Sequence, residues 1–526
     1  MRHSGGLPCQ CITGRVQLEP GYVGARGMTA VAQPKEAGLR RRALGAGAWV
    51  LTGRVVSRIV TVTTSLVLAR LLTPSDFGLV AMGVLALSLL EVLTAVGVRD
   101  ALIQREGDIG ELLDSAWTIE ILRGATISGL LFLAAPAVAV FFREPAAVAI
   151  IRAVSVIPLL RGLENIGTVL FRKELDFRKD FKLEASRVIA HAVVGISLAV
   201  ALRSVWALVA AQIVGYAVQS VVSYVLSPVR PAFRLDWAQA RGLYGFGKWV
   251  LLGGLIGYAQ LQADTFFVAR FFSPAELGLY TLAFTISNVV IVDIGKAIAK
   301  VMFPVYSMGA TDMDRVTRGL LDAYELVAAA TLPLCVGLAL VADDFTLVVL
   351  GEDWASMIPV LRVLAIAACC RALAVSGSGF FWGIGRPHVT FRMNLLQLFV
   401  LAAGLIVLPP KFGLLGVAAA FGTGYGAYVV QFLHETVVRC GIGVRRWAKK
   451  LAPLCFEVGA LAAAVTGARQ LMGPGAERLI VSVVVGGVVY LAMSVLVLRV
   501  LGYGQLQTAA SLGLSVRGLG RLGGRA

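Results

Sequence analysis

Ala69-Arg70-Leu71-Leu72-Thr73-Pro74-Ser75-Asp76-Phe77-Gly78-Leu79 recurs 200 residues later as Ala269-Arg270-Phe271-Phe272-Ser273-Pro274-Ala275-Glu276-Leu277-Gly278-Leu279, without a gap. Upstream, Gly47-Ala48-Trp49-Val50-Leu51 recurs at the same offset as Gly247-Lys248-Trp249-Val250-Leu251. Ten of the 33 positions from 47 to 79 are identical to their partners. The stretch between the two motifs is apolar and long enough to cross a bilayer, which takes about 20 residues. The chain reads as an internally duplicated membrane protein, the usual build of secondary transporters.

Composition agrees. Of 526 residues, 58% are hydrophobic and 15% charged, against about 25% charged in soluble domains. The net charge of +17 does not mark a nucleic-acid binder, because the basic residues form short clusters between apolar runs rather than one patch. Seven cysteines show no metal spacing, and no cofactor motif or ATP motif is present. Cys335, Cys369 and Cys370 read as small buried hydrophobes. Gly422-Thr423-Gly424-Tyr425-Gly426 follows no strand and reads as close helix packing, as does Gly253-xxx-Gly257.

Fourteen spans are expected: 48–69, 77–98, 117–141, 147–170, 184–202, 205–226, 248–269, 277–301, 319–341, 359–383, 389–408, 412–434, 451–468 and 479–500. With the N-terminus inside, the inside segments hold 33 Lys and Arg and the outside segments seven. The positive-inside rule then puts both termini in the cytoplasm. The longest outside loop, 342–358, carries Asp343, Asp344, Glu352 and Asp353, which read as a solvated rim. Each duplicated unit holds an even number of spans, so the repeats are parallel.

The organisation expected is a cytoplasmic tail over 1–46, a six-helix lobe over 47–226, a cytoplasmic linker over 227–247 and a second six-helix lobe over 248–434. Two further helices span 435–500, and a cytoplasmic tail spans 501–526. The first 46 residues are polar and basic, lack the core of a signal peptide, and read as disordered; Met28 is a plausible alternative start. The fold class is all-α integral membrane, with the two lobes around a central cavity.

Several motifs occur in order. Leu71 to Met82 resembles the first outside turn of bacterial polysaccharide exporters, and Ala101-Leu102-Ile103-Gln104-Arg105 resembles the segment after their second span. Arg172-Lys173-Glu174-Leu175-Asp176-Phe177-Arg178-Lys179 resembles the family's loop between spans 4 and 5, and Ala263-Asp264-Thr265-Phe266-Phe267-Val268-Ala269-Arg270 its span 7. The family is the polysaccharide transporter branch, including Wzx-type flippases, of the multidrug/oligosaccharidyl-lipid/polysaccharide exporter superfamily. The resemblance covers about residues 45–440 and is weak after 450. It implies alternating access of two lobes in a bacterial plasma membrane. The implied partner is a polyprenyl-pyrophosphate-linked oligosaccharide, moved for surface polysaccharide (lipopolysaccharide, capsule or exopolysaccharide) biosynthesis, beside polymerase and glycosyltransferases. A multidrug or cation antiporter on the same scaffold is the alternative. A membrane glycosyltransferase or polymerase would need a larger outside domain with catalytic acids.

Charges inside spans need a reason, because each costs about 2.5–3.5 kcal/mol at the bilayer centre. Arg54 and Arg58 lie at i and i+4 on one face of span 1. Two planar guanidinium forks suit a pyrophosphate; snorkelling to the inner interface is the plainer account. Their equivalents in span 7 are Gly254 and Tyr258. Glu120/Arg123 and Arg161/Glu164 read as self-neutralising i,i+3 pairs. Glu91 is isolated and deeper, and is expected to pair with Arg58 or to take up a proton. Asp264, a lone carboxylate near Gln260 and Gln262, is the sharpest candidate for proton or sodium coupling. Asp293 with Lys296 reads as a helix end at the interface. Asp322 and Glu325 are expected to bridge to Arg362 and Arg371, and His191 to pack. The basic loop 172–183 reads as an orientation signal in contact with anionic lipids.

Overall fold

The computed structural model describes Gly53 and residues 56–501, apart from 96, 106–109, 175, 237–246 and 309–312. Among the described residues the regular elements are all helical. Among the described residues, ten helices are long and apolar enough to cross a membrane, or eleven if one bent helix counts as a single span.

The first half comprises α1 (56–71), α2 (Pro74–Leu93), α3 (Val98–Gln104), α4 (Gly110–Phe142), α5 (Ala147–Val154), α6 (Val156–Gly162), α7 (Val169–Lys173), α8 (Phe177–Leu202) and α9 (Trp206–Leu226). The second comprises α10 (Gly247–Phe271), α11 (Pro274–Met308), α12 (Met313–Phe345), α13 (Ile358–Gly383), α14 (Pro387–Val407) and α15 (Pro409–Cys440). Then come α16 (Val444–Leu471) and α17 (Ala476–Leu501).

The duplicated motif is a helix start written twice. The Thr73 hydroxyl and backbone N–H both donate to Asp76, at 2.8 and 3.0 Å, while the Asp76 N–H donates back to Thr73. Ser273 and Glu276 repeat the arrangement, with donations at 2.8 and 2.9 Å. Each is a capping box with proline at the first helical position, so α2 and α11 both begin with satisfied backbone donors.

The two starts then meet. A Cβ on Gly78 would fall on the Pro274 carbonyl oxygen, and a Cβ on Gly278 on the Pro74 carbonyl oxygen. Only glycine permits this approach, and it is reciprocal: 78 touches 274 as 278 touches 74. Trp354, buried to 1% exposure, caps the same end. Its indole donates to the Ala69 carbonyl at 2.9 Å, and its ring sits edge-on to Phe77 at 5.4 Å.

Several expectations are corrected. The expected span 147–170 is broken into α5, α6, a short 3-10 turn (Ile166–Thr168) and α7. Gly124 and Gly162 let the α4 and α6 backbones come close there: a Cβ on Gly124 would lie 2.5 Å from the Pro158 carbonyl oxygen, and one on Gly162 2.6 Å from that of Glu120. The segment 172–183 is not a loop, because α8 starts at Phe177 behind an Asp176 cap. The expected outside loop 342–358 is wound into the end of α12, a π-turn (Thr346–Leu350) and a 3-10 turn (Glu352–Met357). Helix α11 bends by 43° between Asn288 and Asp293. Helix α10 falls outside the apolar ten, since Gln260, Gln262 and Asp264 lower its hydropathy. The expected packing glycines Gly253 and Gly257 face open space: a methyl added at either would meet nothing within 4 Å. Gly424, by contrast, packs on Leu401 and Gln397.

Helices α16 and α17 are clamped to α12 at both ends. Lys450 binds Asp322 at 2.9 Å and Glu325 at 2.5 Å. At the other end Arg469 binds Asp343 at 2.9 Å, and Arg478 binds Asp344. Asp344 is 1% exposed, so the expected solvated rim is in part a buried ion-pair anchor. Of the linker, 227–236 is described, and it is pinned to the first half. Asn165 donates to the Val229 carbonyl at 2.8 Å, and the Arg234 N–H donates to Thr118 at 3.1 Å.

Candidate functional site

Away from the motif end, the two halves exchange polar contacts from equivalent positions. Arg58 of α1 donates its Nε to Asp293 of α11 at 2.8 Å. Its counterpart at the 200-residue offset, Tyr258 of α10, bonds Ser88 of α2 at 2.9 Å and donates to the Leu85 carbonyl at 3.0 Å. The same two positions thus cross between halves, once with a charge and once with a neutral hydroxyl. Arg54 lies outside the described residues.

The Arg58–Asp293 pair is open to its surroundings, with side chains 46% and 27% exposed. An exposed pair of this kind contributes about 0.2–1 kcal/mol. Lys296 lies 3.9 Å from the other oxygen of Asp293. So Asp293 is not simply a helix end neutralised by its neighbour; it bridges the halves.

Glu91 does not reach Arg58. It pairs with Arg161, and Glu164 pairs with Arg99 at 3.0 Å, which undoes the expected Arg161/Glu164 pair. The break in span 4 explains this. Leu163 and Glu164 leave the helix after Gly162, so the i,i+3 geometry is lost. The Glu120/Arg123 pair does form, at 3.4 Å, although Arg123 also donates to the Thr94 and Glu91 carbonyls at 2.9 Å. These groups line a cavity of about 460 Å³ within the first half. Tyr216 on its wall is stacked by two guanidiniums, Arg161 at 5.8 Å and Arg187 at 5.5 Å. Acids and arginines alternate around it, so the cavity is polar yet largely self-compensated.

Asp264 is fully buried, as expected, but it is not alone. Tyr280 donates to it at 2.5 Å and the Thr265 hydroxyl at 3.4 Å. Arg371 lies close enough to act on it electrostatically. That arginine does not bridge to Asp322 or Glu325; it donates to Asn288 at 3.0 Å and stacks on Phe284 and Tyr425. Gln260 turns away, to the Asn394 carbonyl and Gln397, both at 3.1 Å. Arg362 does reach α12, but at Asp343, past the end of the expected span 9, at 2.6 Å. The second half therefore holds a buried acid, base and phenol on three helices, α10, α11 and α13. Sequence reading missed this grouping, since Arg371 and Asp264 are 107 positions apart. Among the described residues no group of His, Cys, Asp and Glu is arranged to hold a metal.

A duplicated, all-helical, multi-pass bundle whose halves meet face to face defines the class: a membrane transport protein with the flippase fold. Its fold matches that of a solved lipid II flippase, MurJ, in an inward closed conformation, with a TM-score of 0.70 at 12% identity over 86% of this chain and 99% of that one. The chain belongs to the polysaccharide biosynthesis protein family, whose model matches residues 67–359. Among curated proteins it is similar to the lipopolysaccharide biosynthesis protein WzxC of Escherichia coli, with 24% identity over 73% of this chain and 78% of that one. It is also similar to the teichuronic acid biosynthesis protein TuaB of Bacillus subtilis, with 24% identity over 57% of this chain and 63% of that one.

Proposed function

We propose that the protein is a flippase that carries a polyprenyl-pyrophosphate-linked oligosaccharide from the inner to the outer leaflet of a bacterial plasma membrane. It does so by alternating access of two six-helix lobes, 47–226 and 248–434, within a fourteen-span arrangement whose termini are cytoplasmic. The observation that carries the reading is the contrast between the two ends of the inter-lobe contact. At the duplicated turns the lobes interlock backbone to backbone through Gly78 and Gly278. At the opposite end an exposed Arg58–Asp293 pair joins them. On the positive-inside orientation, the tight end faces outward and the loose end faces the cytoplasm, where cargo is made.

Arg58 then receives the pyrophosphate, helped by Arg54 four positions earlier in the sequence, because a guanidinium keeps its charge when desolvated and offers two parallel donors. Asp264, with Tyr280 and Arg371 around it, is the coupling group: lobe movement changes its solvation and hence its hold on a proton or sodium ion. Glu91 joins the coupling through Arg161. Anionic lipids contact the basic start of α8, and a polymerase and glycosyltransferases work upstream or downstream. The test is export of surface glycan in cells depleted of the native flippase. Arg58→Ala should abolish it while the protein remains folded in the membrane, and Arg58→Lys should restore it only in part. Full export by Arg58→Ala at normal expression would leave snorkelling as the account of Arg58.

A further inference from the structure

We infer that Asp293 is an internal stand-in for the cargo's phosphate: its carboxylate occupies Arg58 in the empty carrier, ties the lobes at the cytoplasmic mouth, and is displaced when the pyrophosphate arrives. This rests on the reading of Arg58 as the head-group site.

Four observations converge on Asp293. Its carboxylate is an oxyanion placed 2.8 Å from the guanidinium, the position a phosphate oxygen would take. It is supplied by the other half of the molecule, immediately after the 43° bend of α11. The contact uses Nε alone and both side chains are partly exposed, so a ligand can reach the pair and outcompete a single bond with a bidentate one. Release does not strand the acid, because Lys296 stands 3.9 Å from its second oxygen. Nor does another acid step in for Arg58, since Glu91 is held by Arg161. The equivalent contact on the other side, Tyr258 with Ser88, is neutral and offers no competition to an anion. A ligand that binds only the released state shifts the population toward it, so head-group binding and opening of the mouth become one event.

The experiment uses the purified full chain and two lipids of equal chain length, a polyprenyl pyrophosphate and the uncharged polyprenol. Asp293→Asn removes the competing charge at nearly constant size. It should bind the pyrophosphate about two- to fivefold more tightly than wild type and leave polyprenol binding unchanged. A spin-label pair at positions 56 and 297, in a cysteine-free background, should report a longer distance in ligand-free Asp293→Asn, whereas wild type should need the pyrophosphate to reach it. Melting temperatures of the two proteins check that both are folded. Equal or weaker pyrophosphate binding by Asp293→Asn, with Arg58→Ala still losing it, overturns the stand-in alone and makes Asp293 a positioning residue. Undiminished binding by Arg58→Ala overturns the head-group site itself, and the stand-in with it.

Discussion

At the scale of single residues, Asp264 shows how burial turns a side chain into a candidate and how neighbours then limit what it can do. The sequence marks it because a carboxylate in an apolar run is costly. It does not show the Tyr280 hydroxyl 2.5 Å away or the nearby guanidinium of Arg371, because those contacts depend on how α10, α11 and α13 pack. Asp264→Asn keeps an oxygen to accept the tyrosine donor and should fold normally. If Asp264 couples transport to a gradient, gradient-driven turnover in vesicles should fall at least about tenfold, with lipid binding retained. Asp264→Ala leaves the buried Tyr280 hydroxyl without its acceptor. It should destabilise the protein by about 1–3 kcal/mol in detergent unfolding. Wild-type turnover in Asp264→Asn would remove the coupling role.

At the scale of elements, the helix starts carried a signal that the span reading passed over. Thr73-Pro74-Ser75-Asp76 and Ser273-Pro274-Ala275-Glu276 hold their own capping chemistry, yet hydropathy put the span starts at 77 and 277, three residues past the observed starts at Pro74 and Pro274. The glycines were less legible, because a glycine states only what is possible. Gly253 and Gly257 have the spacing of a packing motif yet face open space, while Gly78 and Gly278, which have no such spacing within one helix, carry the inter-lobe contact. These assignments predict opposite responses. Gly78→Ala pushes a methyl into the Pro274 carbonyl and should cost about 1–3 kcal/mol. Gly253→Ala adds a methyl to open space within a helix and should be neutral or stabilising by up to about 1 kcal/mol. Thermal unfolding of the two variants side by side checks both, and a harmless Gly78→Ala would show that the lobes are not interlocked there. The broken span 4 was illegible for a related reason: the contact of Gly124 with Pro158 and of Gly162 with Glu120 is tertiary, and hydropathy averages over it.

At the scale of the whole molecule, composition and the duplication pointed to the all-helical multi-pass bundle that is observed, and the clamps on α16 and α17 show how the last two helices attach. Orientation remains the simplest global prediction. In a cysteine-free background, a Cys at 353, exposed on the motif end, should label from outside the cell, and one at 179 should not. The reverse pattern would invert every directional statement above. The central claim is that the two lobes carry a pyrophosphate-linked oligosaccharide between leaflets, with Arg58 at the loading mouth. The most direct test is leaflet transfer of such a lipid by the purified protein in vesicles, scored by access of an impermeant sugar-modifying reagent. Wild type should transfer the lipid-linked oligosaccharide, and Arg58→Ala, equally well incorporated, should lose most of that activity. Transfer by Arg58→Ala at the wild-type rate, or no transfer by wild type above protein-free vesicles, would contradict the account.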